Sequence, residues 1–178
     1  MIPVVKPYHL SIKETHTTPR KFFEELKAEF PFTLDAAADK RNALCPLFFT
    51  EKDNCLTLPW HAYSKCVWLN PPYRRDERAC LASCRKQKCK RRGWCAIMGR
   101  PGTGYFVKKA YEESLLGVTT VCLLPSRTGT WWWHELVEPI RLSTPTDVRF
   151  IRGRLHFGEA DAGAPFDSVI VIFRGVGG

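Results

Sequence analysis

Asn70-Pro71-Pro72-Tyr73 joins an amide, two prolines and a phenol ring in four consecutive residues. An exocyclic amine on a base or an amide is a poor nucleophile because its lone pair is delocalised. Asn70 can accept one N–H bond through its side-chain oxygen, and the Pro71 carbonyl can accept the other. Two acceptors aimed at one nitrogen favour the geometry in which its lone pair points at an electrophile. Prolines fix φ and donate no competing N–H, so that carbonyl is rigidly aimed. Tyr73 adds a flat face on which a target ring can stack. The plain alternative is a proline-rich turn with Tyr73 as packing. Placement favours the chemical reading: the apolar run Cys66-Val67-Trp68-Leu69 precedes the tetrapeptide, and open α/β sheets put their ligand crevices at the carboxyl ends of such strands.

A basic segment follows. Between Arg74 and Arg100 stand ten basic residues against Asp76 and Glu77, a local charge of +8 within a chain of +9. Such a block can hold phosphates and release counterions; a solvated loop is the bland alternative. The same segment holds Cys80, Cys84, Cys89 and Cys95, separated by three, four and five residues. That spacing is not a paired C-x-x-C knuckle, yet four thiols can close a tetrahedral zinc site and order a loop that lacks its own core. An exposed loop with incidental cysteines is the other reading. Cys45, Cys55, Cys66 and Cys122 are expected in core or loop packing.

The elements that must position these groups are short. Thr17-Thr18-Pro19 opens a helix with a hydroxyl cap, proline at its first position, and Phe22, Phe23, Leu26 and Phe30 at helical spacing. Residues 1–14 are expected to be irregular or pairing. Strands are expected at 32–35, 66–69, 118–124, 148–151, 154–157 and 168–173, and helices at 105–116 and around 131–137. Residues 36–54 read as loop and short helix. The alternation predicts an α/β sheet, mostly parallel and covered by helices on both faces, with an antiparallel pair at one edge. A chain of 178 residues with 44% apolar content fits a single domain, residues 1–178, with 74–104 as a basic cysteine-rich insertion. The start has no signal-peptide pattern and no run spans a membrane, so a soluble intracellular protein with reduced thiols is expected.

Several blocks in order carry a resemblance. They are Thr18-Pro19, Phe32-Thr33-Leu34-Asp35-Ala36-Ala37-Ala38-Asp39, Phe48-Phe49-Thr50, Asn70-Pro71-Pro72-Tyr73, Leu123-Leu124-Pro125-Ser126-Arg127-Thr128, Arg149-Phe150-Ile151-Arg152-Gly153-Arg154-Leu155 and Ala164-Pro165-Phe166. From Thr17 onward the chain resembles the phage-type DNA N6-adenine methyltransferase (Dam) family, and the tetrapeptide is similar to motif IV of amino-methyltransferases. The resemblance implies a Rossmann-like class I methyltransferase sheet, S-adenosylmethionine as methyl donor, adenine N6 in DNA as acceptor, and a phage or other mobile-element setting. It makes Asn70, Pro71, Pro72 and Tyr73 catalytic. It places Thr18 and Pro19 against the cofactor's methionine portion, with Asp35, Ala36 and Ala37 at the motif I position. Asp39 and Asp53 are further cofactor candidates, and Asp39 serves equally well as a helix cap. The glycine-rich loop of many methyltransferases is missing. Only 34 residues separate Asp35 from Asn70, leaving little room for a full strand–helix–strand.

DNA contact is expected from Arg74, Arg75, Lys88, Lys90, Arg91 and Arg92, and from Arg127, Arg152 and Arg154. Arg127 can equally pair with a buried carboxylate, and the 149–155 region can equally be a solvated edge. Trp131-Trp132-Trp133 requires at least one tryptophan to be exposed or at an interface, because a helix buries one face. Positioning dominates methyl transfer to an amine, which calls for no strong base or metal. The tetrapeptide also suits cytosine N4, an RNA adenine or a glutamine amide. A non-catalytic nucleic-acid-binding relative and a zinc-dependent interaction domain are the remaining classes.

Overall fold

A computed structural model describes residues 17–77, 79–81, 83–92, 99–144, 147–157 and 164–177. In chain order it contains α1 (Arg20–Lys27), β1 (Leu34–Asp35), β2 (Leu47–Phe48), β3 (Cys66–Leu69), α2 (Gln87–Arg92), α3 (Thr103–Ser114), β4 (Thr119–Pro125), α4 (Glu138–Ser143), β5 (Val148–Phe150) and β6 (Ser168–Phe173). The strands form one sheet in the order β2-β1-β3-β4-β6-β5. Pairings from β2 through β4 are parallel, whereas β6 runs antiparallel to both β4 and β5. One strand, β6, is therefore reversed. The expected antiparallel pair is β5 with β6, but the outermost strand β5 points the same way as the centre.

β3, β4 and β6 are apolar at nearly every position because both faces of the sheet are covered. Val67, Leu69, Cys122, Leu124, Val169 and Val171 face a core shared with Phe106, Val107 and Ala110 of α3 and with Trp132 and Trp133. Trp68, Val121, Leu123, Ile170 and Ile172 face the other core, with Phe23 of α1, Phe32 and Phe157. Phe23 stacks on Phe32 and meets Trp68 edge-on at 5.4 Å between centroids. Cys45, Cys55, Cys66 and Cys122 are all buried, and none of the described cysteines forms a disulfide. Of the three consecutive tryptophans, Trp131 is the exposed one.

Several expectations are corrected. Pro19 precedes α1 instead of opening it, and no side chain caps that helix. Residues 36–54 contain β2. Residues 154–157 form no strand: Gly153 turns the chain at φ +79 and Phe157 packs into the core instead. Pro139 has no N–H to continue an α-helical ladder, and the chain widens into a π turn over Trp133–Val137 just before it. The expected irregular segment at 1–14 lies outside the described residues. Among those described, no helix is long and apolar enough to cross a membrane.

Candidate active site

The chain leaves β1 for β2 on one side of the sheet and leaves β3 for β4 on the other. The strand order thus reverses between β1 and β3, and it is at the carboxyl ends flanking such a reversal that open α/β sheets place a ligand crevice. Asp35 ends β1 and Asn70 follows β3, so both stand at that crevice. The Ala36 amide donates to the Trp68 carbonyl at 3.0 Å, which draws the two strand ends together.

Asn70 is oriented from across the molecule. Its Nδ2 donates to Thr18 Oγ1 at 2.9 Å, a contact spanning 52 residues of chain. Thr18 is buried. The bond fixes which end of the amide is nitrogen and turns the oxygen away from Thr18. Pro71 is buried as well. The Pro72 carbonyl is already engaged, accepting from Arg74 N–H at 3.0 Å and from the Thr103 hydroxyl at 3.0 Å. Among the described residues, none donates to the Pro71 carbonyl.

Tyr73 is anchored at both ends. Its hydroxyl donates to the Leu123 carbonyl of β4 at 3.0 Å, and its ring meets Phe166 and Phe157 edge-on at 5.3 and 6.0 Å. Burial pushes the phenol well above its ordinary range, so it stays neutral. These contacts hold the tetrapeptide against the sheet.

Asp35 is almost fully buried, and its two oxygens accept from the Ala37 amide at 3.4 Å and the Leu44 amide at 3.1 Å. Burial pushes its carboxyl up to about 6, against the pull of those two bonds. Ala36 is buried and Ala37 packs at the edge of the same core. Asp39 accepts from the Arg41 amide at 2.7 Å and pairs with the Arg41 side chain, which is a turn-capping role. Burial pushes its carboxyl up, and the Arg41 contacts outweigh that and leave it lowered. Asp53 caps its own turn, accepting from the Thr50 amide and hydroxyl at 2.7 and 2.6 Å, and those bonds hold it below its usual range. Pro19 borders a shallow hollow of about 290 Å³ shared with Phe22, Arg154 and His156.

The basic excursion leaves the sheet through a clasped neck. Glu77 and Arg100 exchange backbone bonds of 2.9 and 2.6 Å, and Gly102 N–H donates to Asp76 Oδ1 at 2.8 Å. Arg74 Nε donates to the Pro101 carbonyl at 2.9 Å, so this side chain is built into the neck. Arg75, Lys90 and Arg91 are exposed. Lys88 and Arg92 belong to α2, a helix the sequence did not announce, and their side chains lie outside the described ones. Arg127 is partly buried in the turn after β4, at the same end of the sheet as Asn70; Arg152 and Arg154 are exposed beyond β5. Arg149 instead clamps Glu29 with two bonds. Cys80, Cys84 and Cys89 come together, their sulfurs all within 4.8 Å. Cys95 lies outside the described residues.

Sequence reasoning missed Thr103, whose buried hydroxyl pins the Pro72 carbonyl, and Gly102, which closes the neck. Pro101-Gly102-Thr103 before an apolar helical pattern was the available signal.

A parallel sheet with one reversed strand, an oriented amide and a buried carboxylate at its switch point defines a class: open α/β domains that bind a ligand across central strand ends. The family is narrower. Residues 9–175 match the family model described as DNA N-6-adenine-methyltransferase (Dam), and the chain belongs to that family. It is similar to a protein of Escherichia phage T1 named DNA N-6-adenine-methyltransferase, with 29% identity over 92% of this chain. The match spans 64% of that relative's length.

Proposed function

We propose that the chain is a DNA methyltransferase that moves a methyl group from S-adenosylmethionine to the N6 amine of adenine. The observation carrying this reading is the acceptor pair: an Asn70 amide oriented by Thr18, next to a Pro71 carbonyl that no described residue uses. Family membership and the name of the phage T1 relative support adenine in DNA as the acceptor. In the same reading the sheet is a compact Rossmann-like class I methyltransferase sheet, with β6 as its reversed strand.

When bound, S-adenosylmethionine supplies an electrophilic methyl carbon on a sulfonium, with a neutral thioether to leave. The residues at the crevice fit its cationic portion. Asp35 accepts two N–H bonds, and an ionised carboxylate offers about four acceptor positions. Its raised pKa shows that those two bonds do not offset its burial, and a nearby cation would favour the ionised form. Ala36 and Ala37 keep the backbone approachable beside it. Asp39 and Asp53 are occupied by Arg41 and Thr50 and contribute to the shape of the pocket.

Asn70 and the Pro71 carbonyl take the two N6 hydrogens of an adenine that has left the base stack. This turns the nitrogen lone pair towards the methyl group and stabilises the positive charge that grows on N6 in the transition state. Arg75, Lys88, Lys90, Arg91, Arg92, Arg127, Arg152 and Arg154 hold the flanking phosphates.

The decisive experiment incubates the purified chain with labelled S-adenosylmethionine and DNA and analyses the nucleosides. N6-methyladenine is expected, and Asn70→Ala should lower turnover by about 10²-fold or more, as loss of one transition-state hydrogen-bond partner does. Label found in N4-methylcytosine or in no nucleoside would overturn the reading.

A further inference from the structure

We propose that Cys80, Cys84 and Cys89 form a structural zinc site that organises the basic excursion after the tetrapeptide. The sulfur of Cys89 lies 3.6 Å from that of Cys80 and 3.7 Å from that of Cys84. A disulfide would need about 2.05 Å and would join only two of the three. Thiolates at about 2.3 Å from a tetrahedral zinc ion stand roughly 3.8 Å apart, close to the two separations made by Cys89, and all three sulfurs lie within 4.8 Å of one another. Three thiols are therefore close enough to supply three corners of a zinc tetrahedron, with the fourth corner left to another donor.

The surroundings suit a metal. None of the three cysteines belongs to either hydrophobic core, and Leu81 beside Cys80 is exposed. Among the described side chains from Ala79 to Arg91, Cys89 alone is buried, so in that part the three thiols are the groups placed to fix the shape of the segment. A bound metal contributes that ordering outright. Lys86 Nζ lies 4.0 Å from the Cys80 sulfur, and it stands within the basic block. Its positive charge would offset the negative charge of a thiolate-rich site.

The test is metal analysis of the full chain purified under reducing conditions. One zinc per chain is expected, and cobalt substitution should give the charge-transfer and visible bands of tetrahedral thiolate coordination. The double variant Cys80→Ser/Cys89→Ser should lose both signals, whereas Cys45→Ala keeps them. Should the double variant not fold, titrating the wild-type chain with a mercurial reagent reads the same point through zinc release. Absence of zinc, zinc retained in the folded double variant, or a Cys80–Cys89 disulfide in the reduced preparation would overturn the site. The consequence for substrate rests on the proposed DNA reading: removing the metal should weaken DNA binding about tenfold or more and leave S-adenosylmethionine binding unchanged. A chain that holds zinc yet binds no DNA would refute the substrate reading alone; unchanged DNA binding after zinc removal would refute the organising role.

Discussion

At the scale of single residues, Thr18 has a contact that the sequence did not announce. The family resemblance places it against the cofactor, and its hydroxyl also meets the Asn70 amide. That bond spans 52 residues, so no local pattern could reveal it. Thr18→Val keeps the shape but removes the bond that orients the Asn70 amide, a loss worth about 0.5–1.5 kcal/mol. We expect turnover to fall about tenfold with cofactor affinity unchanged, and Thr18→Ser to restore it; steady-state kinetics and cofactor titration read both. A weaker cofactor Kd at unchanged turnover would return Thr18 to its cofactor role. Asp35 makes a second residue-scale prediction. Its carboxyl stands near 3.8 in an unfolded chain and at about 6 in the folded one. Below both values the two states hold the proton equally. Between them only the folded chain keeps it, so stability falls as pH rises through that window and levels off above it. The total fall is roughly 3 kcal/mol at 1.36 kcal/mol per decade. Denaturant unfolding at pH 4 to 7 should show this decline in the wild type and lose it in Asp35→Asn. Bound S-adenosylmethionine should shift the window downward by favouring the ionised form.

At the scale of elements, legibility followed burial. Cys66–Leu69 and Ser168–Phe173 were readable to the residue because strands covered on both faces are continuous apolar runs. β2 was not, because two residues, Leu47 and Phe48, cannot establish a period. α2 was equally silent: five of its six residues are polar or charged, and among its described side chains Cys89 alone is buried. Residues 154–157 looked like a strand because Leu155 and Phe157 alternate with polar neighbours, yet those two pack beside Tyr73 on the α1 face of the sheet. The tetrapeptide was legible, and the neck that holds it was not. Gly102 shows how tight that neck is: a Cβ there would stand 2.5 Å from the Arg74 carbonyl oxygen and from backbone atoms of Arg75 and Asp76. Backbone cannot yield as a flexible side chain can. Gly102→Ala should therefore cost about 1–3 kcal/mol, as forced overpacking does. Because the displaced segment carries the residues just past Pro72, methyl transfer should fall as well while cofactor binding persists. Thermal unfolding and turnover check the two parts, and an alanine variant unchanged in both would show that the neck does not position the tetrapeptide.

At the scale of the whole molecule, charge and structure divide the chain. The excursion between Arg74 and Arg100 carries +8 of the +9 total, while the sheet and its helices are nearly neutral. The neck joins that charge to the strand end bearing Asn70, so phosphates held on the excursion would lie beside the candidate active site. In such an arrangement affinity comes from counterion release, and it depends steeply on salt. Arg75, Lys90 and Arg91 are exposed and make no part of the neck, unlike Arg74. Each phosphate contact contributes roughly 0.9 to the slope of log affinity against log salt on duplex DNA. Replacing these three residues together by alanine should flatten that slope by about 2 to 3 and weaken binding at low salt, with little change in unfolding temperature. Binding titrations at several salt concentrations supply the slope. An unchanged slope would move the phosphate contacts to Arg127, Arg152 and Arg154, and the same titration on Arg152→Ala/Arg154→Ala would then show the loss.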